Sequence, residues 1–435
     1  MMFYSLPPIT YLNDMNRWLP FLLLLTACTP VYKKLHQSGR LTDTHNDILT
    51  ACFEHGYRFD QNLAGKTHSD LYRMRKSGLA AQVFSVWCDG NMKQPFTYAN
   101  RQIDTLYQTI SRNPGAVQLV RSSTEMQWVM EQQKLAALIG VEGGHMIEDD
   151  LKNLDALYNL GVRYMTLTWN NSTTWATSAA DETALSSKKE MKEKRVPSSD
   201  SSSSASAHPV LATAVGTYPA FGSKRAGLTE FGKDVVRRMN SLGMLVDVSH
   251  VGEQTFWDAI NTSTKPVIAS HSSVYALCPV FRNLKDDQIK AIGQKGGVVF
   301  INFYSGFIDS SFNRRLAAFH TAHKGERDSL LQLRSEPYFA DELLATKYKN
   351  ELQALRPPLS LLIDHIDYVA KLISADGVGI GSDFDGVTSL PQEINSVLDY
   401  PKITRELLRR GYNKSDIHKI LGGNFLRVLQ AAEQK

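Results

Sequence analysis

From residue 41 onward, short runs of apolar and β-branched residues alternate with longer stretches whose apolar positions fall three or four apart. Runs of the first kind read as buried strands and those of the second as amphipathic helices. Strands are predicted at 41–45, 81–87, 136–142, 162–168, 244–250, 266–271, 297–304 and 378–383, with helices between them at 98–111, 151–160, 230–242, 286–294 and 359–373. Eight strands separated by helices predict an α/β fold of the (β/α)8 TIM-barrel type rather than an open sheet. Two further helices, 402–410 and 414–434, are expected to close the chain, with a capping turn from Asn413 to Asp416 between them.

The polar positions sharpen this picture. Almost every predicted strand is apolar along its body and turns ionisable at its C-terminal end: His45 and Asp47, Glu142, His250, His271 and Asp383. Barrel enzymes carry their chemistry on that face, so five strands would bring these six side chains together. One such residue alone reads as a hydrogen-bonded strand end; the set of six reads as a site.

The stretch before residue 41 has a different order. Arg17 precedes an apolar run from Trp18 to Leu25, followed by Thr26, Ala27 and Cys28. A basic, apolar, small-residue sequence of this length is expected to be a signal peptide over 1–27, with Met15 as a plausible start. Leu25-Thr26-Ala27-Cys28 resembles the bacterial lipobox, which implies a lipid on Cys28, a tether over 28–40 and an address in the bacterial envelope, at the outer membrane given Thr29. One barrel domain is expected over 41–435, carrying a low-complexity insertion near 186–208 where a charge cluster runs into a serine-rich tract. That insertion reads as a solvated loop or a flap over the barrel mouth.

With 43% hydrophobic and 21% charged residues the 435-residue chain can bury a full core, and a net charge of +4 without a basic stripe predicts no nucleic-acid partner. Cys52, Cys88 and Cys278 are too few and too widely spaced for a metal or redox motif, and are expected as small buried hydrophobes.

At the first strand end, His45-Asn46-Asp47 spaces an imidazole and a carboxylate two residues apart, a pair that can hold one divalent ion. Glu142 ends the run Leu138-Ile139-Gly140-Val141, where an unpaired carboxylate would cost several kcal/mol, and it is the natural bridge to a second ion. His250 and His271 supply nitrogens for that ion. A lone His is more often a satisfied core imidazole; two beside the first pair favour ligation.

Taken with Gly140-Val141-Glu142-Gly143-Gly144, Val246-Asp247-Val248-Ser249-His250, Ser270-His271-Ser272, Arg282-Asn283, Asn302-Phe303-Tyr304, Gly381-Ser382-Asp383-Phe384-Asp385-Gly386 and Gly423-Asn424-Phe425, these segments resemble the membrane (renal) dipeptidase family, peptidase family M19, over nearly the whole chain after residue 28. The resemblance implies two zinc ions, His45 and Asp47 on one, His250 and His271 on the other, and Glu142 across both. It implies hydrolysis of dipeptides with a free C-terminal carboxylate, by a hydroxide held between the cations. Asp383 would be the proton shuttle, Arg282 the clamp for the substrate carboxylate, and Trp169 and Tyr304 further substrate contacts.

The chain departs from the pattern at one position. Mammalian members carry a substrate-binding His after the Leu-Thr of the 162–168 strand, where Trp169 stands here, so Asn170 or Asn171 is a candidate replacement donor. They also form disulfide-linked dimers through a cysteine not found here, so any homodimer is expected to be non-covalent. Two rivals remain: another binuclear amidohydrolase, a group that usually opens with His-x-His rather than His45-Asn46-Asp47, and a catalytically weak envelope lipoprotein that binds peptides.

Overall fold

The computed structural model describes residues 30–193, 227–333 and 337–434. Nine parallel strands run in chain order as β1 (Leu41–Asn46), β2 (Leu79–Trp87), β3 (Val117–Leu119), β4 (Leu135–Glu142), β5 (Val162–Thr166), β6 (Leu245–Asp247), β7 (Val267–Ser272), β8 (Val298–Ile301) and β9 (Val378–Ile380). β2 pairs with both β1 and β4, and β9 returns to β1 through Asp43 and Ile380, so all the strands but β3 close a barrel. β3 lies outside the ring, paired with the first residues of β4.

The alternation along β4 shows how the barrel is filled. Leu135, Ala137, Ile139 and Val141 join the core between sheet and helices. Ala136 and Leu138 point the other way, into a second cluster with Val83, Tyr164, Ile268 and Phe300, and Glu142 falls on this inner face by the same two-residue period. Phe425, Val428 and Leu429 of the last helix plug the inner cluster from below.

The helices Glu230–Leu242, Asp286–Gln294 and Leu359–Ile373 have the predicted bounds. The helix expected over 414–434 is instead divided into Lys414–His418, a π-turn over Lys419–Gly423 and Asn424–Glu433. The cause is local: a Cβ on Gly422 would stand 2.3 Å from the Arg40 carbonyl oxygen, so the chain needs glycine to approach the base of β1 and the helix distorts around it. The strands predicted at 244–250 and 297–304 leave the ladder early, at Asp247 and Ile301, and their remaining residues turn into the barrel mouth. Between β8 and the Leu359–Ile373 helix the chain forms five helices, Ser305–Ile308, Phe312–Ala322, Lys324–Leu333, Pro337–Lys347 and Lys349–Leu355, in a stretch for which the sequence pattern predicted nothing.

Within the segment expected to be a tether, Val31–Ser38 is a helix with Leu35 and His36 buried. His36 bonds Thr404 at 2.7 Å and the Ser77 carbonyl at 2.9 Å, which docks that helix onto the barrel. The expected signal peptide, Cys28 and the serine-rich tract lie outside the described residues; the start of the expected insertion, up to residue 193, belongs to the helix Ala179–Glu193. Among the described residues, no helix is long and apolar enough to cross a membrane. Cys52, Cys88 and Cys278 are buried and free.

Candidate metal centre

Six side chains predicted from the strand ends meet at the C-terminal mouth of the barrel. Glu142, at the end of β4, divides its carboxylate between two groups. Oε2 lies 3.4 Å from His45 Nε2, while Oε1 lies 2.7 Å from His250 Nε2 and 3.2 Å from His271 Nε2. Asp47 Oδ2 stands 3.4 Å from His45 Nε2 and Asp383 Oδ1 stands 4.0 Å from it. All six residues are buried or nearly so.

Each imidazole turns Nε2 into this cluster because Nδ1 is held from behind. His45 Nδ1 bonds the Tyr164 hydroxyl at 2.8 Å, and that hydroxyl donates to the Thr44 carbonyl at 3.0 Å. His271 Nδ1 bonds Ser270 Oγ at 2.8 Å, which in turn donates to Asp247 Oδ2 at 2.6 Å. His250 Nδ1 bonds Asn170 Oδ1 at 3.1 Å. An Nδ1–H engaged this way leaves the Nε2 lone pair free, the arrangement found around ligating histidines.

Two buried aspartates tie the strand ends together. Asp247 accepts from Ser249 and Ser270 and so links the ends of β6 and β7. Asp43 accepts from Ser382 Oγ at 2.6 Å and Tyr400 at 2.6 Å, linking β1 to the Asp383 loop. Asp43, Asp247 and Tyr164 are polar residues within strands that reading the sequence for ligands passes over, and Asn170, in the loop after β5, is expected from the sequence as a substrate donor rather than as a partner of His250.

The electrostatics match a site built for cations. Burial alone would depress the His45 imidazole, yet Tyr164, Asp47 and Glu142 hold it well above its ordinary value. Burial, with Arg282 nearby, lowers His250 to about 4, and burial with His45 keeps His271 well below its usual range, so both are neutral donors. Burial pushes Asp383 up to about 7, and Asp47 and Glu142 add to the rise. His45 Nε2 and Asp47 Oδ1 are buried without hydrogen-bond partners. His45 Nε2, with Asp47 Oδ2 and Glu142 Oε2 each 3.4 Å away, and the unbonded Asp47 Oδ1 make up a set of imidazole and carboxylate groups that fits divalent cations of the zinc type. His45, Glu142 and His271 can converge on one ion, as can His45, Asp47 and Asp383.

The predicted substrate contacts are placed less uniformly. The Arg282 guanidinium is buried and donates to the Ser249 and His271 carbonyls, behind His250 and His271; burial pulls its pKa down to about 10, and no described carboxylate lies in ion-pair range. Trp169 meets Trp87 edge to face at 5.0 Å, and Trp87 pairs with Glu142 across β2 and β4, so the two indoles wall the mouth beside the bridge. Tyr304 packs its ring against Phe307 and Phe312 and reaches the cluster only through its backbone N–H, which donates to Asn302 at 2.7 Å. Asn170, a candidate replacement donor, commits its oxygen to His250. His145, three residues after Glu142, also went unpredicted: its Nε2 lies 3.5 Å from Cys88 Sγ and its Nδ1 is buried without a partner.

Comparison with known proteins places this geometry in context. A family model described as membrane dipeptidase (peptidase family M19) matches residues 31–193 and 205–435. Dipeptidase 3 of Mus musculus is 30% identical over 401 residues, which make up 91% of this chain and 64% of the relative, so the chain spans less than two thirds of that protein's length. A metallo peptidase from Rhodobacter sphaeroides, solved with a phosphinate mimic of the dipeptide L-Ala-D-Ala, aligns with a TM-score of 0.67 at 21% identity over 90% of this chain and 99% of that one. The probable dipeptidase PvdM from Pseudomonas aeruginosa aligns with a TM-score of 0.67 at 22% identity over 92% and 97%. These two likenesses show a shared barrel fold.

Proposed function

The chain belongs to the membrane dipeptidase family, peptidase family M19, and on that footing we propose that it hydrolyses dipeptides bearing a free C-terminal carboxylate with the help of two zinc ions. The observation that carries this reading is the divided Glu142 carboxylate, one oxygen towards His45 and the other towards His250 and His271. His45 and Asp47 would hold one cation, His250 and His271 the other, and Glu142 both. When bound, such a pair supplies a water of lowered pKa and polarises the scissile carbonyl.

The remaining work falls to the chain's own side chains. Asp383 turns Oδ1 towards His45 while Oδ2 is held by the Asn302 amide at 2.8 Å. A carboxylate with one oxygen fixed and the other turned to the cluster is placed to take a proton from the attacking water and give it to the leaving amine. Arg282, fixed by two carbonyls and without a carboxylate of its own, would receive the substrate's C-terminal carboxylate. Trp87 and Trp169 would line the mouth and exclude water from the reacting centre. We further propose that Cys28 carries a lipid holding the enzyme at the bacterial outer membrane, and that any homodimer is non-covalent; palmitate labelling of the wild type against Cys28→Ser tests the first.

The decisive experiment is hydrolysis of a panel of L,L and L,D dipeptides by the full chain, with and without a chelator. Turnover lost to the chelator and restored by zinc is expected, with tripeptides cleaved poorly. Chelator-insensitive hydrolysis, or no turnover after zinc loading, would overturn the proposal.

A further inference from the structure

Of the three imidazoles, His250 alone is anchored from outside the barrel strands. Tyr164, behind His45, belongs to β5, and Ser270 and Asp247, behind His271, belong to β7 and β6. Asn170, behind His250, belongs to the loop that follows β5 and precedes the Ala179–Glu193 helix.

That loop grips His250 at several points. The His250 carbonyl accepts from the Ala179 N–H at 2.9 Å and from Thr168 Oγ1 at 3.2 Å. Ser178 forms a bridge with Val251, and the Gly252 N–H donates to the Thr177 carbonyl at 2.9 Å. Ser178 Oγ donates to the backbone carbonyl of Asn170 at 2.8 Å, which sets the position of the Asn170 side chain without using it. The Asn170 carboxamide is therefore left with one evident task, to accept the Nδ1–H of His250.

A neutral imidazole has two tautomers and can turn about its ring bond; one acceptor at Nδ1 removes both freedoms and makes Nε2 the more basic nitrogen. We infer that Asn170 is a positioning residue that sets the cation affinity of the His250–His271 half of the site, separately from the His45–Asp47 half that Tyr164 orients. Because Trp169 is the adjacent residue, the same short loop carries one wall of the substrate mouth and the anchor of one metal ligand. This inference rests on the two-cation reading given above.

The test is a titration of the metal-free full chain with zinc, competed against a chromophoric chelator and resolved into stepwise constants, for the wild type, Asn170→Ala, Asn170→Asp and Tyr164→Phe. Asn170→Ala is expected to weaken one of two constants by about ten- to a hundredfold, with thermal unfolding of the metal-free protein unchanged. Asn170→Asp, whose carboxylate accepts the same N–H, is expected to retain wild-type affinity. Tyr164→Phe is expected to weaken the other constant. A wild type that takes up fewer than two zinc ions overturns the two-cation reading and this inference with it. Two ions bound equally well by the wild type and Asn170→Ala, or equal losses in Asn170→Ala and Asn170→Asp, overturn the inference alone.

Discussion

Asn302 donates its amide to Asp383 Oδ2 at 2.8 Å, which leaves Oδ1 as the oxygen turned to the metal cluster. Asp383 also sits at a positive φ of 61°, a conformation that a non-glycine residue adopts at a cost, and which here turns the carboxylate inward after β9. Under the proposed mechanism the first oxygen is fixed and the second would carry the proton.

Asp383→Asn should therefore leave the fold and the zinc content intact while lowering kcat by about a hundred- to ten-thousandfold, the range associated with removing a general acid–base group. Steady-state kinetics beside metal analysis of the same preparation would check it. A kcat within a few-fold of wild type would remove Asp383 from the proton path.

Gly140 offers a second test, through packing rather than chemistry. A Cβ at this position would lie 2.1 Å from Tyr164 Cζ, so the phenol must shift and its bonds to His45 and Thr44 must stretch or break. Gly140→Ala should destabilise the metal-free protein by about 1–3 kcal/mol and weaken zinc at the His45 side. Urea unfolding followed by zinc titration would reveal both effects, and a variant with unchanged stability would show that the inner face of β4 has room to spare.

These cases mark where the sequence is legible. The side chains that meet at the barrel mouth stand out in the sequence because each is an ionisable residue at the end of an apolar run: Glu142 after Leu138-Ile139-Gly140-Val141 is the clearest instance. The supporting residues could not be found in that way. Asp43, Asp247, Tyr164 and Asn170 owe their roles to partners on other strands or loops, such as Ser382 for Asp43 and His250 for Asn170, and nothing in a linear pattern announces a pairing across the barrel. The same holds for strand ends. The ladder stops at Asp247, and past it the His250 carbonyl is taken by Ala179 and Thr168, partners far away in the sequence.

Arg282 gives a prediction about specificity. A guanidinium whose bonds run to the Ser249 and His271 carbonyls and the Ser272 hydroxyl, with no described carboxylate in ion-pair range, can still donate to a substrate carboxylate. Arg282→Met keeps much of the bulk and removes the charge. It should lower kcat/KM for dipeptides by about ten- to a hundredfold, in keeping with the loss of a charge-assisted hydrogen bond. It should also erase the preference for free dipeptides over their C-terminal amides. Equal discrimination in wild type and variant would place the carboxylate elsewhere.

His36 yields the prediction that concerns pH. Its Nε2–H donates to the Ser77 carbonyl and its Nδ1 accepts from Thr404, a pairing that requires the neutral ring, and burial lowers its pKa from the ordinary 6.5 to about 4. The unfolded chain takes up a proton near pH 6.5 while the folded chain refuses it until about pH 4. The stabilising contribution of this residue is thus fully present above 6.5 and is lost as the pH falls through that window, to a total of about 3 kcal/mol. His365, bonded to the Val274 N–H and the Ile308 carbonyl, is lowered to about 4 by burial too and adds to the same slope. His36→Gln can accept from Thr404 and donate to Ser77 without titrating. Urea unfolding of wild type and variant at pH 7 and pH 5 should show a smaller loss of stability on acidification in the variant. Parallel losses would mean that the folded chain takes up the His36 proton as readily as the unfolded chain does, and that the Val31–Ser38 helix is held by other contacts.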